Sequence, residues 1–233
     1  MLSAPAAEHM IAENIKAVTQ RIARCCEKTG RPASEVELVC VTKEATLAQM
    51  EEALQAGAGI FGENRVQDAV WKHKAIGDKA AWHLVGHLQT NKVREAVGIF
   101  DLIHSVDSAR LAREIDKEAL KISKIQDVLI QVNTSGEATK FGVTPEAAIG
   151  LLKEVALYPN IRIMGLMMIA PEVEDLETVR PYFRALRELR DRINNLRLMA
   201  YDLRLLSMGM TNDFETAIEE GSTMVRIGRA IFQ

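Results

Sequence analysis

The chain has 233 residues, of which 48% are hydrophobic, so it is long enough for one well-buried domain and too apolar for a disordered protein. Its formal net charge of -3 argues against a broad basic surface for nucleic acid or anionic lipid. No apolar run approaches the roughly 18 residues needed to cross a bilayer, and the N-terminus lacks the pattern of a signal peptide. We therefore expect one compact cytoplasmic domain.

The first predicted element is an N-terminal helix. Apolar residues recur at helical spacing from Ile11 to Ile22, and Gly30 followed by Pro32 ends the pattern. A short, β-branched apolar run over residues 36–41 then predicts a strand that is buried on both faces.

Lys43 follows this strand and, being charged, must lie at the rim of the core. Thr46, with Gln49 three residues later, is typical of a helix N-terminus, and the helix ends at Gly57. Lys43 therefore lies in a strand-to-helix connection. In α/β barrels such connections build the active site.

The same alternation continues to the C-terminus. Strands are predicted over residues 59–62, 82–85, 102–105, 127–132, 161–167, 203–206 and 224–227, with helices between them, including a long charged one over 175–196. Eight strands without a dividing linker predict a single-domain (β/α)8 TIM barrel over residues 1–233, with an extra N-terminal helix in residues 1–30 packed on the barrel. An open doubly wound sheet is the alternative, but its G-x-G-x-x-G turn does not follow the first strand.

The residues after each strand converge on one mouth of such a barrel. The connections after strands seven and eight read S-M-G-M-T-N-D and R-I-G-R-A, where barrels often bind phosphate through backbone N–H groups. Glycine lets those groups approach an anion, Ser207 offers a hydroxyl and Arg229 adds positive charge. A lysine and a phosphate site at one mouth suit pyridoxal 5'-phosphate (PLP), which binds through a lysine imine and its phosphate.

The order of the motifs makes the interpretation more specific. They read V-T-K, F-G-E-N-R-V-Q, W-H-L-V-G-H-L-Q-T-N-K, H-S-V-D, Q-V-N-T-S-G-E-A-T-K-F-G, G-L-M-M-I-A-P, L-S-M-G-M-T-N-D-F and V-R-I-G-R-A-I-F, and they cover nearly the whole chain. In this set the chain resembles the YggS/PROSC family, the PLP homeostasis proteins. The resemblance implies a barrel like that of alanine racemase and a role in controlling cellular PLP rather than catalysis of a known metabolic reaction.

The resemblance also implies roles for individual residues. Lys43 would form the imine (Schiff base), and Asn64 would line the pocket. Ser207, Gly228 and Arg229 would bind the phosphate, with Arg229 acting through its backbone amide.

Arg226 is predicted from alternation along the last strand. Met224 and Arg226 should face into the barrel, while Val225 and Ile227 face the helices. Arg226 should then approach the pyridine nitrogen of PLP. Because an arginine cannot accept a proton from that nitrogen, the ring would stay largely unprotonated and would support carbanion chemistry poorly.

Several alternatives remain open at this level. Lys92 and Lys140 are rival imine sites in polar loop or helix-start sequences. His83, His87 and His104 are candidates for either acid-base groups or structural hydrogen-bonding partners, and they form no recognisable metal-ligand set. We assign no catalytic residue and no metal ligand.

The main functional alternative is a PLP-dependent amino-acid racemase. Two-base racemisation needs a proton donor opposite the lysine. Racemases that resemble this barrel take a tyrosine from an additional β-domain, and we expect no such domain after strand eight. Tyr158 and Tyr201 immediately precede predicted strands, at the other end of the barrel, and Tyr182 lies in a predicted helix. We therefore favour a monomeric, non-catalytic protein that buffers PLP or delivers it to apo-enzymes.

Overall fold

The computed structural model describes residues 10–233 as a closed barrel of eight parallel strands. In chain order the strands are β1 (Glu37–Val41), β2 (Ile60–Glu63), β3 (Ala81–Leu84), β4 (Leu102–Val106), β5 (Gln126–Gln131), β6 (Ile161–Met167), β7 (Leu205–Ser207) and β8 (Met224–Ile227). Each strand pairs with the next, and β8 pairs with β1, which closes the sheet. The predicted (β/α)8 barrel is confirmed.

Helices surround the barrel. They are α1 (Met10–Lys28), α2 (Leu47–Gln55), α3 (Val66–Ile76), α4 (Val93–Ile99), α5 (Ala109–Lys121), α6 (Pro145–Val155), α7 (Arg180–Asn195), α8 (Phe214–Glu219) and α9 (Arg229–Phe232). Of the predicted N-terminal segment, residues 1–9 lie outside the described residues. None of the helices in residues 10–233 is both long enough and apolar enough to cross a membrane.

The apolar core has two parts because side chains alternate along each strand. The barrel interior is filled by a small cluster of Val39, Val85, Leu102, Leu129, Met167 and Met224. A larger cluster lies between the strands and the helices, and it contains Val225 and Ile227. The predicted inward and outward faces of β8 are therefore confirmed.

Helix α1 packs on the outside of the barrel against α2, α8 and α9. Its buried stripe includes Ile11, Ile15, Val18 and Ile22, as the spacing predicts. The Asn14 side chain donates a hydrogen bond to the carbonyl of Ile231 at 3.0 Å. Helix α1 thus holds the segment that follows β8.

Cap residues define where α2 and α6 begin. Thr46 and Gln49 form a reciprocal capping box at the start of α2. The Thr144 hydroxyl accepts from the backbone of Ala147, and Pro145 occupies the first turn of α6. Each cap follows the loop at the carboxyl end of a strand, so these caps set the direction in which the chain leaves the barrel mouth.

Several strand bounds differ from the prediction by one residue, and the largest differences are at the starts of the long helix and of β7. The long helix begins at Arg180 rather than at 175, because a separate 3-10 turn over Leu176–Thr178 precedes it and is capped by the Asp175 carboxylate. Strand β7 begins at Leu205, two residues later than predicted. The short helix α9 after β8 was not predicted.

Candidate functional site

A cleft of about 710 Å³ opens at the carboxyl ends of the strands. Five of the six predicted binding residues line it: Lys43, Asn64, Arg226, Gly228 and Arg229. These residues come from β8 and from the connections after β1, β2 and β8. Closure of the barrel between β8 and β1 therefore brings together residues that are far apart in sequence.

Lys43 lies two residues beyond the end of β1. Its side chain is 47% exposed, and its amine is 3.3 Å from a carboxylate oxygen of Glu44. Such an exposed ion pair contributes little free energy, so the Lys43 amine remains available to a ligand in the cleft.

A buried ion pair supports the chain next to Lys43. The Lys72 amine, from α3, lies 2.7 Å from Glu63 Oε1 and donates to the carbonyl of Thr42 at 2.6 Å. The Thr42 hydroxyl donates to the same Glu63 oxygen at 2.6 Å. Lys72 and Glu63 are 2% and 0% exposed. This cluster joins the end of β1 to the end of β2, immediately before Lys43 and Asn64, and it gives Glu63 an orienting role.

Asn64 follows β2 and lines the cleft. A Cβ at Gly86, in the loop after β3, would lie only 2.1 Å from the backbone oxygen of Asn64. Only glycine permits this close approach of the two loops.

Arg226 is buried at the base of the cleft. Its guanidinium donates from Nη1 to Ser207 Oγ at 2.5 Å and from Nη2 to the carbonyl of Met168 at 2.8 Å. Burial lowers the pKa of Arg226 to about 10, while the nearby Asp213 opposes that shift. Arg226 is therefore still protonated near neutral pH and acts only as a donor.

The connections after β7 and β8 present free backbone donors. The backbone N–H groups of Thr211, Asn212 and Gly228 make no hydrogen bond within residues 10–233. Gly209 turns the first of these loops with φ of 96°, and a Cβ there would lie 2.7 Å from Ala217 Cβ. All three residues line the same cleft, and free N–H groups in one cleft are suited to an anion such as a phosphate.

Ser207 does not line the cleft, contrary to its predicted contact with phosphate. Its side chain is fully buried, and its hydroxyl contacts Arg226 and His104 inside the barrel. The strand alternation that turns Arg226 inward does the same for Ser207. Thr211, which sequence reasoning missed, lies on the cleft instead. The sequence did indicate this difference. Thr211 follows Gly209 in the loop after β7, whereas Ser207 is the last residue of the strand itself.

The three candidate histidines divide into two groups. His83 and His104 are buried inside the barrel, with His104 Nε2 at 3.2 Å from His83 Nδ1. Burial lowers the pKa of His83 to about 4 and that of His104 well below its ordinary value, so both are neutral near pH 7. His87 instead stacks on Phe141 at the mouth, with ring centroids 3.9 Å apart.

The rival lysines occupy different positions. Lys140 lines the cleft and is 3.2 Å from a carboxylate oxygen of Glu137. Lys92 lies in a 3-10 turn before α4, outside the cleft lining. Within the described part of the chain, no cluster of three or more His, Cys, Asp or Glu residues is arranged to hold a metal ion.

Comparison with known proteins agrees with this geometry. The model of the family described as "Alanine racemase, N-terminal domain" matches residues 13–233. An alanine racemase structure from Clostridium difficile has the same fold, with a TM-score of 0.74 at 12% identity, over 95% of this chain and 56% of that one. Fold and site thus define a (β/α)8 barrel of the alanine racemase N-terminal class.

Full-length relatives narrow the class. The pyridoxal phosphate homeostasis protein of Aquifex aeolicus is 45% identical over 94% of this chain and 96% of its own length. The Escherichia coli protein of the same name is 36% identical over 95% of each chain. PipY of Synechococcus elongatus, solved with PLP bound, has a TM-score of 0.83 at 33% identity and covers 96% of this chain and 100% of its own. The chain belongs to the pyridoxal phosphate homeostasis protein family.

Proposed function

We propose that this protein binds PLP in the cleft through an imine with Lys43 and that it buffers or delivers the cofactor in the cytoplasm. The observation that carries the proposal is the arrangement of the cleft: the exposed Lys43 amine shares it with the free backbone N–H groups of Thr211, Asn212 and Gly228. Lys140, the other lysine of the cleft, is more buried and pairs with Glu137. An aldehyde-reactive amine and an anion-binding loop match the two ends of PLP. The name of the family and the PLP-bound PipY structure support the same cofactor.

The residues of the cleft fit the cofactor as follows. The backbone N–H groups at the ends of β7 and β8 bind the phosphate, with Arg229 contributing through its backbone rather than its exposed side chain. Asn64 lines the wall beside Lys43. When bound, PLP supplies a reactive aldehyde carbon and an electron-withdrawing ring. Arg226 at the base of the cleft would face the ring nitrogen with a group that only donates hydrogen bonds; because it offers that nitrogen no acceptor for a proton, it would weaken the electron withdrawal.

The first test is reduction of the purified protein with borohydride in the presence of PLP, followed by peptide mapping by mass spectrometry. We expect the reduced cofactor on Lys43 and on no other lysine, because reduction converts only the imine into a stable secondary amine. Labelling of Lys92 or Lys140 with Lys43 unmodified would contradict the assignment.

For the second candidate, an amino-acid racemase, the described residues place no tyrosine in the cleft to act as the second base. None of the three tyrosines lines the cleft: the Tyr201 hydroxyl accepts from the backbone of Ile163, Tyr158 contacts Arg113, and Tyr182 lies on α7. We therefore expect negligible racemisation of alanine by the PLP-loaded protein. Chiral chromatography after prolonged incubation checks this. An appreciable rate that Lys43→Ala abolishes would establish the racemase instead.

A further inference from the structure

A line of four polar side chains runs through the barrel interior below the cleft. It connects Arg226 on β8, Ser207 on β7, His104 on β4 and His83 on β3. Arg226 Nη1 is 2.5 Å from Ser207 Oγ, which is 2.9 Å from His104 Nδ1, and His104 Nε2 is 3.2 Å from His83 Nδ1. All four residues are buried. In a buried interior each polar group requires a hydrogen-bonding partner. The direction of each bond in the line, from donor to acceptor, therefore determines which ring nitrogen of each histidine carries a proton.

Arginine determines that direction. A guanidinium only donates, so the Ser207 oxygen accepts from Arg226 and its single proton is left for His104 Nδ1. A neutral imidazole that accepts at Nδ1 carries its proton on Nε2. His104 therefore donates to His83 Nδ1, and His83 must also be the Nε2–H tautomer.

Neutral histidines are required for this arrangement. A protonated His104 would present a second donor to Ser207, and the Ser207 hydroxyl would then lose the acceptor for its own proton. Burial disfavours the charged form of both rings, and the charge of Arg226 further disfavours it at His104. Geometry and burial thus lead to the same protonation state.

We propose that His104 is a positioning residue that, through Ser207, holds the Arg226 guanidinium at the base of the cleft and so aligns its contact with the cofactor ring. The contact between Arg226 and the cofactor ring rests on the proposed function. The direction of the hydrogen bonds from Arg226 to His83 does not depend on which ligand the cleft binds. Ser207 and His104 belong to the binding site through this chain, although neither lines the cleft. The second anchor of Arg226, at the Met168 carbonyl, fixes the other end of the guanidinium.

The hydrogen-bond direction is tested without any cofactor. In the histidine-labelled protein, long-range ¹H–¹⁵N correlation spectra at pH 7 report which ring nitrogen of each histidine carries the proton. We expect His104 and His83 as neutral Nε2–H tautomers. An Nδ1–H tautomer or an imidazolium at His104 would overturn the proposal even if the protein binds PLP.

The positioning role is tested with a pair of His104 variants. His104→Leu removes the acceptor for the Ser207 hydroxyl, whereas His104→Asn retains an acceptor oxygen near the position of Nδ1. We expect PLP affinity to fall about tenfold in His104→Leu, with a shifted absorption band of the bound cofactor, and to stay near wild type in His104→Asn.

Ser105→Ala is the matched control, because Ser105 is a buried neighbour on β4 whose hydroxyl makes no hydrogen bond within the described residues. It should change neither the PLP affinity nor the absorption spectrum.

Failure of the wild-type protein to bind PLP would refute the proposed function. Normal wild-type binding together with an unchanged affinity and band in a folded His104→Leu protein would refute the positioning role alone. If His104→Leu does not fold, the spectra of the wild-type protein still test the proposal, because an Nδ1–H tautomer or an imidazolium at His104 overturns it.

Discussion

Replacing Lys43 with alanine is expected to lower PLP affinity on the order of 100-fold, or about 2.7 kcal/mol. The substitution would remove the proposed imine but leave the backbone donors of Thr211, Asn212 and Gly228 in place, so weak binding through the phosphate should persist. The absorption band of the imine should disappear completely. Equilibrium titration followed by absorbance and by calorimetry measures both effects.

Lys92→Ala is the control for this prediction, because Lys92 lies outside the cleft lining and was a rival attachment site. It should bind PLP as the wild-type protein does. The prediction fails if Lys43→Ala retains the imine band and the wild-type affinity.

Replacing Lys72 with methionine is expected to destabilise the fold by about 3–5 kcal/mol. The methionine fills nearly the same volume, but the Glu63 carboxylate is then buried without its cation, and the Thr42 carbonyl loses a donor. The free energy of unfolding is measured by urea denaturation, as a lower midpoint at an unchanged slope. Because Thr42 precedes Lys43, weaker PLP binding should accompany the loss of stability.

Two further variants separate this ion pair from general effects of removing a lysine. Lys74→Met changes an exposed lysine on the same helix and should be nearly neutral. Adding Glu63→Gln to Lys72→Met removes the isolated charge and should recover much of the lost stability. A loss below about 1 kcal/mol in Lys72→Met, the size typical of a surface pair, would contradict this interpretation.

The secondary structure was predictable where side-chain periodicity was strong. The predicted strands at 161–167 and 224–227 have the observed bounds, and the reciprocal cap of Thr46 and Gln49 is present. The start of α7 was misjudged because a turn and a helix with similar polar residues are hard to separate without their hydrogen bonds.

The site was less predictable than the fold. Lys43 and Asn64 reach the cleft as expected, because each immediately follows a strand. Lys72 carried a signal that was overlooked: it lies at helical spacing with Val66, Ala69 and Ile76 on the buried side of α3. A lysine in such a stripe must find a partner inside the protein, and Glu63 is that partner.

The sequence by itself determined the alternation of strands and helices, the inward face of β8 and the family to which the chain belongs. These depend on local periodicity and on the order of motifs, both of which are readable without coordinates. Only the tertiary structure decided that Thr211 lies on the cleft while Ser207 turns inward to join Arg226 and His104. Those contacts join β4, β7 and β8, and the partners of a side chain across a barrel depend on how the strands pair and close, which no local pattern specifies.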